Sequence, residues 1–98
     1  MIGIVSIGLS NISSIRNALV YIKARNFLIE TPDQVSVAEK ILLPGVGSYN
    51  EAMNRLKENG LDNALREAAS KGVPIMGICL GMQMLADKGY EGGETEGL

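Results

Sequence analysis

Gly77-Ile78-Cys79-Leu80-Gly81 joins an apolar, strand-like run (Val73 to Ile78) to a helix-like run (Leu80 to Lys88). Glycines two positions either side of Cys79 allow a strand to turn sharply into a helix, which lifts the central side chain out of the sheet. This is the nucleophile-elbow pattern, with sulfur in place of the serine oxygen. A thiol at a helix N-terminus is favoured as thiolate by the helix dipole and the unpaired N–H groups. The backbone N–H of Leu80 is placed to hold an oxyanion, the donor that an acyl-transfer site needs. Against this stands the commoner role of a lone cysteine in an apolar stretch, a small core residue. The chain has no histidine, so the usual base of a cysteine hydrolase is missing from these residues.

Working outward, strand and helix patterns alternate along the chain. Met1 to Ile7 is an apolar run of the kind buried on both faces in a parallel sheet. Gly8-Leu9-Ser10-Asn11 follows as a turn, with Asn11 as a helix cap. It lacks the full Gly-x-Gly-x-x-Gly spacing and a suitably placed acidic residue, so it is no dinucleotide fingerprint. Ile12, Ile15, Ala18, Leu19 and Ile22 recur at helical spacing, predicting a helix to about Arg25. Phe27-Leu28-Ile29 reads as a short strand broken by Thr31-Pro32-Asp33. Ile41-Leu42-Leu43 is another buried strand, ended by Pro44-Gly45-Val46-Gly47. Ser48 and Glu51 form a capping box that opens a helix with Tyr49, Ala52, Met53 and Leu56 inward, stopped by Gly60. Leu61, Ala64, Leu65 and Ala68 define the next helix, with Asp62 and Arg66 paired on its wet side. Gly72 ends that helix, Val73-Pro74-Ile75-Met76 leads into the elbow, and Gly89 to Leu98 reads as a surface loop. The alternation predicts an α/β fold, a mostly parallel sheet with helices on both faces.

Nine basic and eleven acidic residues in 98 give a net charge of −2 with no basic block. That charge pattern offers no footprint for nucleic acid or a membrane surface. One cysteine excludes an internal disulfide framework and suits a reducing compartment. No stretch has the length and flanks of a signal peptide or a membrane span. A soluble, cytoplasmic protein without metal or cofactor is the expectation.

Two further segments accompany the elbow. The Pro44-Gly45-Val46-Gly47 loop is either an ordinary strand-to-helix connection or a second source of N–H donors at the carboxyl ends of the strands, where such folds bind ligands. Gln83 lies one helical turn after Cys79, either facing the same pocket or simply polar on a helix packed by Met82, Met84 and Leu85.

The elbow Gly77-Ile78-Cys79-Leu80-Gly81-Met82-Gln83 resembles that of the class I glutamine amidotransferases, a flavodoxin-like family. Leu43-Pro44-Gly45-Val46-Gly47-Ser48-Tyr49, then Ala52-Met53 and Leu56, is more selective. With the N-terminal turn leading to Ser14-Ile15 and Ala18-Leu19, it is most similar to the glutaminase subunits of imidazole glycerol phosphate synthase. The resemblance covers nearly the whole chain. It implies that Cys79 attacks the side-chain amide of glutamine, forms a γ-glutamyl thioester and releases ammonia. Leu80, Val46 and Gly47 would supply the oxyanion donors, and Gly45 and Gln83 would hold the glutamine. The partner would be a cyclase subunit that uses the ammonia in histidine biosynthesis. The alternatives are the glutaminase of another pathway and a non-catalytic scaffold that keeps the fold without the chemistry.

Two departures stand out. Ser10 occupies a position where the family usually has a second glycine. Nothing matches the family's catalytic His and Glu, which lie beyond the elbow, so residues 1–98 read as the N-terminal half of an incomplete glutaminase domain whose C-terminal half is absent. Such a half is expected to be marginally folded or self-associating in isolation, and inactive as a glutaminase. A monodisperse monomer with cooperative melting and measurable glutamine turnover would contradict this.

Overall fold

The computed structural model describes residues 1–6, 12–45, 49–79, 88–89 and 95–96. Four strands, β1 (Ile2–Val5), β2 (Asn26–Ile29), β3 (Lys40–Gly45) and β4 (Ile75–Cys79), form one sheet in the order β2-β1-β3-β4. Every pairing in it is parallel. Four helices lie among them: α1 (Ile12–Tyr21), α2 (Pro32–Val35), α3 (Tyr49–Glu58) and α4 (Leu61–Ser70). Two short strands, β5 (Lys88–Gly89) and β6 (Thr95–Glu96), pair antiparallel apart from this sheet.

The strand order dictates where the helices go. Chain movement from β1 to β2 runs opposite to that from β2 to β3, and right-handed crossovers therefore place α1 on one face and α2 on the other. Burial agrees. Val5, Ile29, Ile41 and Leu43 share a core with Val35 of α2, Ala52, Met53 and Leu56 of α3, and Leu61, Leu65 and Ala68 of α4. Ile4 and Leu19 are also buried but lie outside that core. Side chains alternate across a strand, so Ile4 points to the opposite face, the one α1 covers. Parallel pairing, helices on both faces and the inward placing of Ala52, Met53, Leu56, Leu61, Leu65 and Ala68 are as the sequence predicts, while the Tyr49 side chain lies outside what is described.

Gly3 shows how closely the layers approach. A Cβ added there would sit 2.3 Å from Ile29 Cδ1 and 3.1 Å from Ala38 Cβ. The space belongs to its neighbours.

Pro44 is an unexpected member of a central strand. Ile41 N–H donates to the Pro74 carbonyl at 2.9 Å, so the odd-numbered amides of β3 face β4. The even-numbered ones face β1. Proline's missing donor at position 44 is thus on the β1 side, where the paired register ends at Ile4 and Leu42. Pairing with β4 continues unimpeded to Gly45. This is why β3 runs through Pro44-Gly45 and does not stop at Leu43.

Several boundaries differ from the sequence reading. Helix α1 ends at Tyr21, four residues earlier than expected, because Lys23 adopts a left-handed conformation (φ 62°). Ala24 N–H reaches the Leu19 carbonyl at 2.8 Å and Lys23 N–H the Val20 carbonyl at 2.9 Å. Those two bonds make a Schellman stop, with lysine in the place usually taken by glycine. Ile22 therefore falls outside the helix and is exposed, and Ala18 is exposed as well.

Thr31-Pro32-Asp33 does more than break a strand: it starts α2. Proline fits the first helical turn, and Gln34 Oε1 accepts the N–H groups of Glu30 at 2.6 Å and Thr31 at 3.1 Å. Asp62 pairs with Arg66 at 3.4 Å but is buried and not on the wet side. Lys88 opens β5 and does not close a helix, and part of the expected terminal loop is the β5–β6 pair. Asn11, Ser48 and the body of the Leu80–Lys88 helix lie outside the described residues. Gly60 ends α3 with φ 70°, a conformation that costs a side-chain-bearing residue energy.

The N-terminal ammonium of Met1 pairs with Glu39 Oε1, and Glu39 N–H donates to the Met1 carbonyl at 3.1 Å. The hydrogen bond from the ammonium, and then its charge, lower the Glu39 pKa below the usual carboxylate range. Its contribution to stability is therefore present above the ordinary carboxylate value and is lost as pH falls through the depressed one. Acetylating the Met1 amine is expected to move the Glu39 titration upward, as followed by carboxyl carbon NMR. An unmoved titration would separate the two groups. Gly3→Val is expected to cost about 1–3 kcal/mol by overpacking, measured by urea denaturation of the full-length protein. An unchanged midpoint would show that Ile29 and Ala38 yield freely.

Candidate active site

All four strands run the same way, so β1, β3 and β4 end side by side at Val5, Gly45 and Cys79. Chain order reverses between β1 and β3, the topological switch point at which open α/β sheets hold ligands, outside the carboxyl ends.

Position 79 is brought to this end by the packing of the strand before it. Ile75 packs against the main core, whereas Met76 points to the other face and is 63% exposed. That alternation fixes the register Ile41↔Ile75, Leu42↔Met76, Leu43↔Gly77, Pro44↔Ile78 and Gly45↔Cys79. The last pair joins the residue singled out as nucleophile to the residue singled out at the start of the glycine-rich loop. Their backbones are neighbours across one interstrand spacing, about 4.8 Å. Gly45 is buried and Pro44 beside it is fully so.

The structure thus brings Cys79 and Gly45 together at the expected end. Leu80, Val46, Gly47 and Gln83 lie outside the described residues. The two segments that contain them leave from Cys79 and Gly45, and so depart from adjacent points on the sheet.

One charged group at this end has a partner beyond the capping role read from the sequence. Glu51 lies in the first turn of α3, just after the loop that leaves β3, and its Oε1 accepts from Arg55 Nη2 at 3.1 Å. The Glu-to-Arg spacing of four residues was the available signal. Among the described residues, no three His, Cys, Asp or Glu side chains gather as a metal site would require. Among them, no helix is long and apolar enough to cross a membrane.

Residues 4–97 match the CobB/CobQ-like glutamine amidotransferase domain. The chain belongs to that family. A solved structure titled as a glutamine amidotransferase superposes with a TM-score of 0.82 over 99% of this chain and 52% of its own length. At 18% identity that likeness speaks for the fold alone. Among curated proteins, the chain is 45% identical over 98 residues to the imidazole glycerol phosphate synthase subunit HisH of Bacillus licheniformis, and it covers 46% of that protein. It is 46% identical to HisH 1 of Campylobacter jejuni, covering 49% of it, and 42% identical to HisH of Wolinella succinogenes, covering 48%. All of this chain is matched in each case. The chain spans about half the length of the curated relatives it matches.

Proposed function

We propose that these residues form the nucleophile-bearing N-terminal half of a glutaminase subunit of imidazole glycerol phosphate synthase, working in the cytoplasm with a cyclase subunit. The observation that carries the proposal is the register of Cys79 against Gly45 at the carboxyl ends of adjacent central strands. The subunit names of the relatives support the pathway.

In this reading the Cys79 thiolate attacks the side-chain carboxamide carbon of glutamine. The carbonyl electrons move onto oxygen, where N–H groups of Leu80, Val46 and Gly47 stabilise the developing charge. Gly45 and Gln83 hold the substrate. Collapse of the tetrahedral species breaks the carbon–nitrogen bond, and the departing nitrogen takes up a proton to leave as ammonia. Water then cleaves the γ-glutamyl thioester, giving glutamate and returning the thiol. The proton carrier in both steps is a base from outside these 98 residues, which contain no histidine. The ammonia passes to the cyclase for use in histidine biosynthesis.

In the complete synthase, Cys79→Ala is expected to lower glutamine-dependent turnover by about 10³-fold or more. Turnover with added ammonium salt should persist, because the cyclase then needs no glutaminase. Retained glutamine-dependent turnover in the variant would refute Cys79 as the nucleophile. Wild-type subunit that hydrolyses glutamine but fails to drive this cyclase would refute the pathway while leaving the chemistry intact.

A further inference from the structure

The amino ends of the strands, opposite the candidate active site, carry a feature that the proposed glutaminase chemistry does not use. A cavity of about 640 Å³ is lined by Met1, Arg25, Phe27, Gln34, Val37 and Glu39. These residues come from the segments entering β1, β2 and β3, with Gln34 added by α2. The volume lies in the range of small-molecule sites.

Its polar groups are unequally committed. Glu39 is held by the Met1 ammonium. Gln34 Oε1 is occupied by the Glu30 and Thr31 amides, leaving its Nε2 as the available end. The Arg25 guanidinium has no ion-pair or hydrogen-bond partner among the described residues. The cavity therefore offers the Arg25 and Gln34 donors and the Arg25 charge, while the Met1 ammonium engages Oε1 of its one carboxylate. Between these groups lie the half-buried ring of Phe27 and the exposed side chains of Val37 and Met1.

We propose that this cavity binds a small monocarboxylate with an apolar body, its carboxylate on Arg25 and Gln34 Nε2 and its ring or branched chain against Phe27, Val37 and Met1. Arginine offers a planar fork of donors suited to a carboxylate. The apolar side chains account for the body, which a bare acetate lacks. This assignment is independent of the glutaminase chemistry and lies at the other end of the sheet.

The test is an amide NMR titration of the full-length protein with phenylacetate, beside 2-phenylethanol and acetate. Phenylacetate is expected to saturate, perturbing amides in 25–27 and 34–39, with each control at least about tenfold weaker. Arg25→Gln should weaken phenylacetate by about tenfold at an unchanged melting temperature. Val37→Asp, which places a like charge on the exposed rim, should weaken it in the same direction. Equal binding of phenylacetate and 2-phenylethanol, perturbations confined elsewhere, no saturation at roughly 10 mM, or full affinity in both variants would overturn the proposal.

Discussion

The parallel register between β3 and β4 is the constraint from which the candidate site follows. Ile41 and Leu43 point into the main core and Leu42 points away, while opposite them Ile75 points in and Met76 points out. A slip of one residue would turn every side chain of one strand to the wrong face. The slipped strand would turn Met76 toward the main core and remove Ile75 from it. Burial in the first part of each strand thereby fixes which backbone atoms are neighbours at the end. Gly45 comes to lie beside Cys79 because apolar residues two to four positions earlier are already placed.

That register also explains how a proline is accommodated beside the site. Pro44 would disrupt a central strand paired on both sides to its end. Here its missing amide faces β1, which has already ceased pairing with β3 at Leu42. The β4 side keeps its donors at Leu43 and Gly45. Pro44 is fully buried, so it contributes apolar packing and a fixed φ to the last turn of chain before the glycine-rich loop.

Periodicity made the sheet and helices α3 and α4 legible, since Ala52, Met53, Leu56, Leu61, Leu65 and Ala68 all lie where their spacing puts them. It failed at ends. Ile22 continues the helical spacing of α1, but spacing carries no information about a left-handed residue at Lys23, and lysine is a weak signal for one. Thr31-x-x-Gln34 is a cap signature only where a helix begins at a proline, as it does here. The spacing of Asp62 and Arg66 predicts a pair but not its exposure, since a partner also permits burial. At the candidate site, the sequence named Cys79 and Gly45 separately; their adjacency comes from strand order, which is a long-range property.

What the arrangement can do chemically is bounded by its composition. A thiolate can attack an amide carbon unaided, but the nitrogen it displaces is a poor leaving group until it is protonated. Main-chain N–H groups stabilise an oxyanion and yet deliver no proton. Glutamine hydrolysis therefore divides into a part that a strand terminus and glycine-rich turns can perform and a part that needs a titrating side chain. Under the proposed function these 98 residues would supply the first, and they contain no histidine for the second. On that proposal, strand pairing with Gly45 would fix the backbone of Cys79 for a base supplied from elsewhere. Cys79 would then supply the attack, and a group outside these residues would supply the proton transfer.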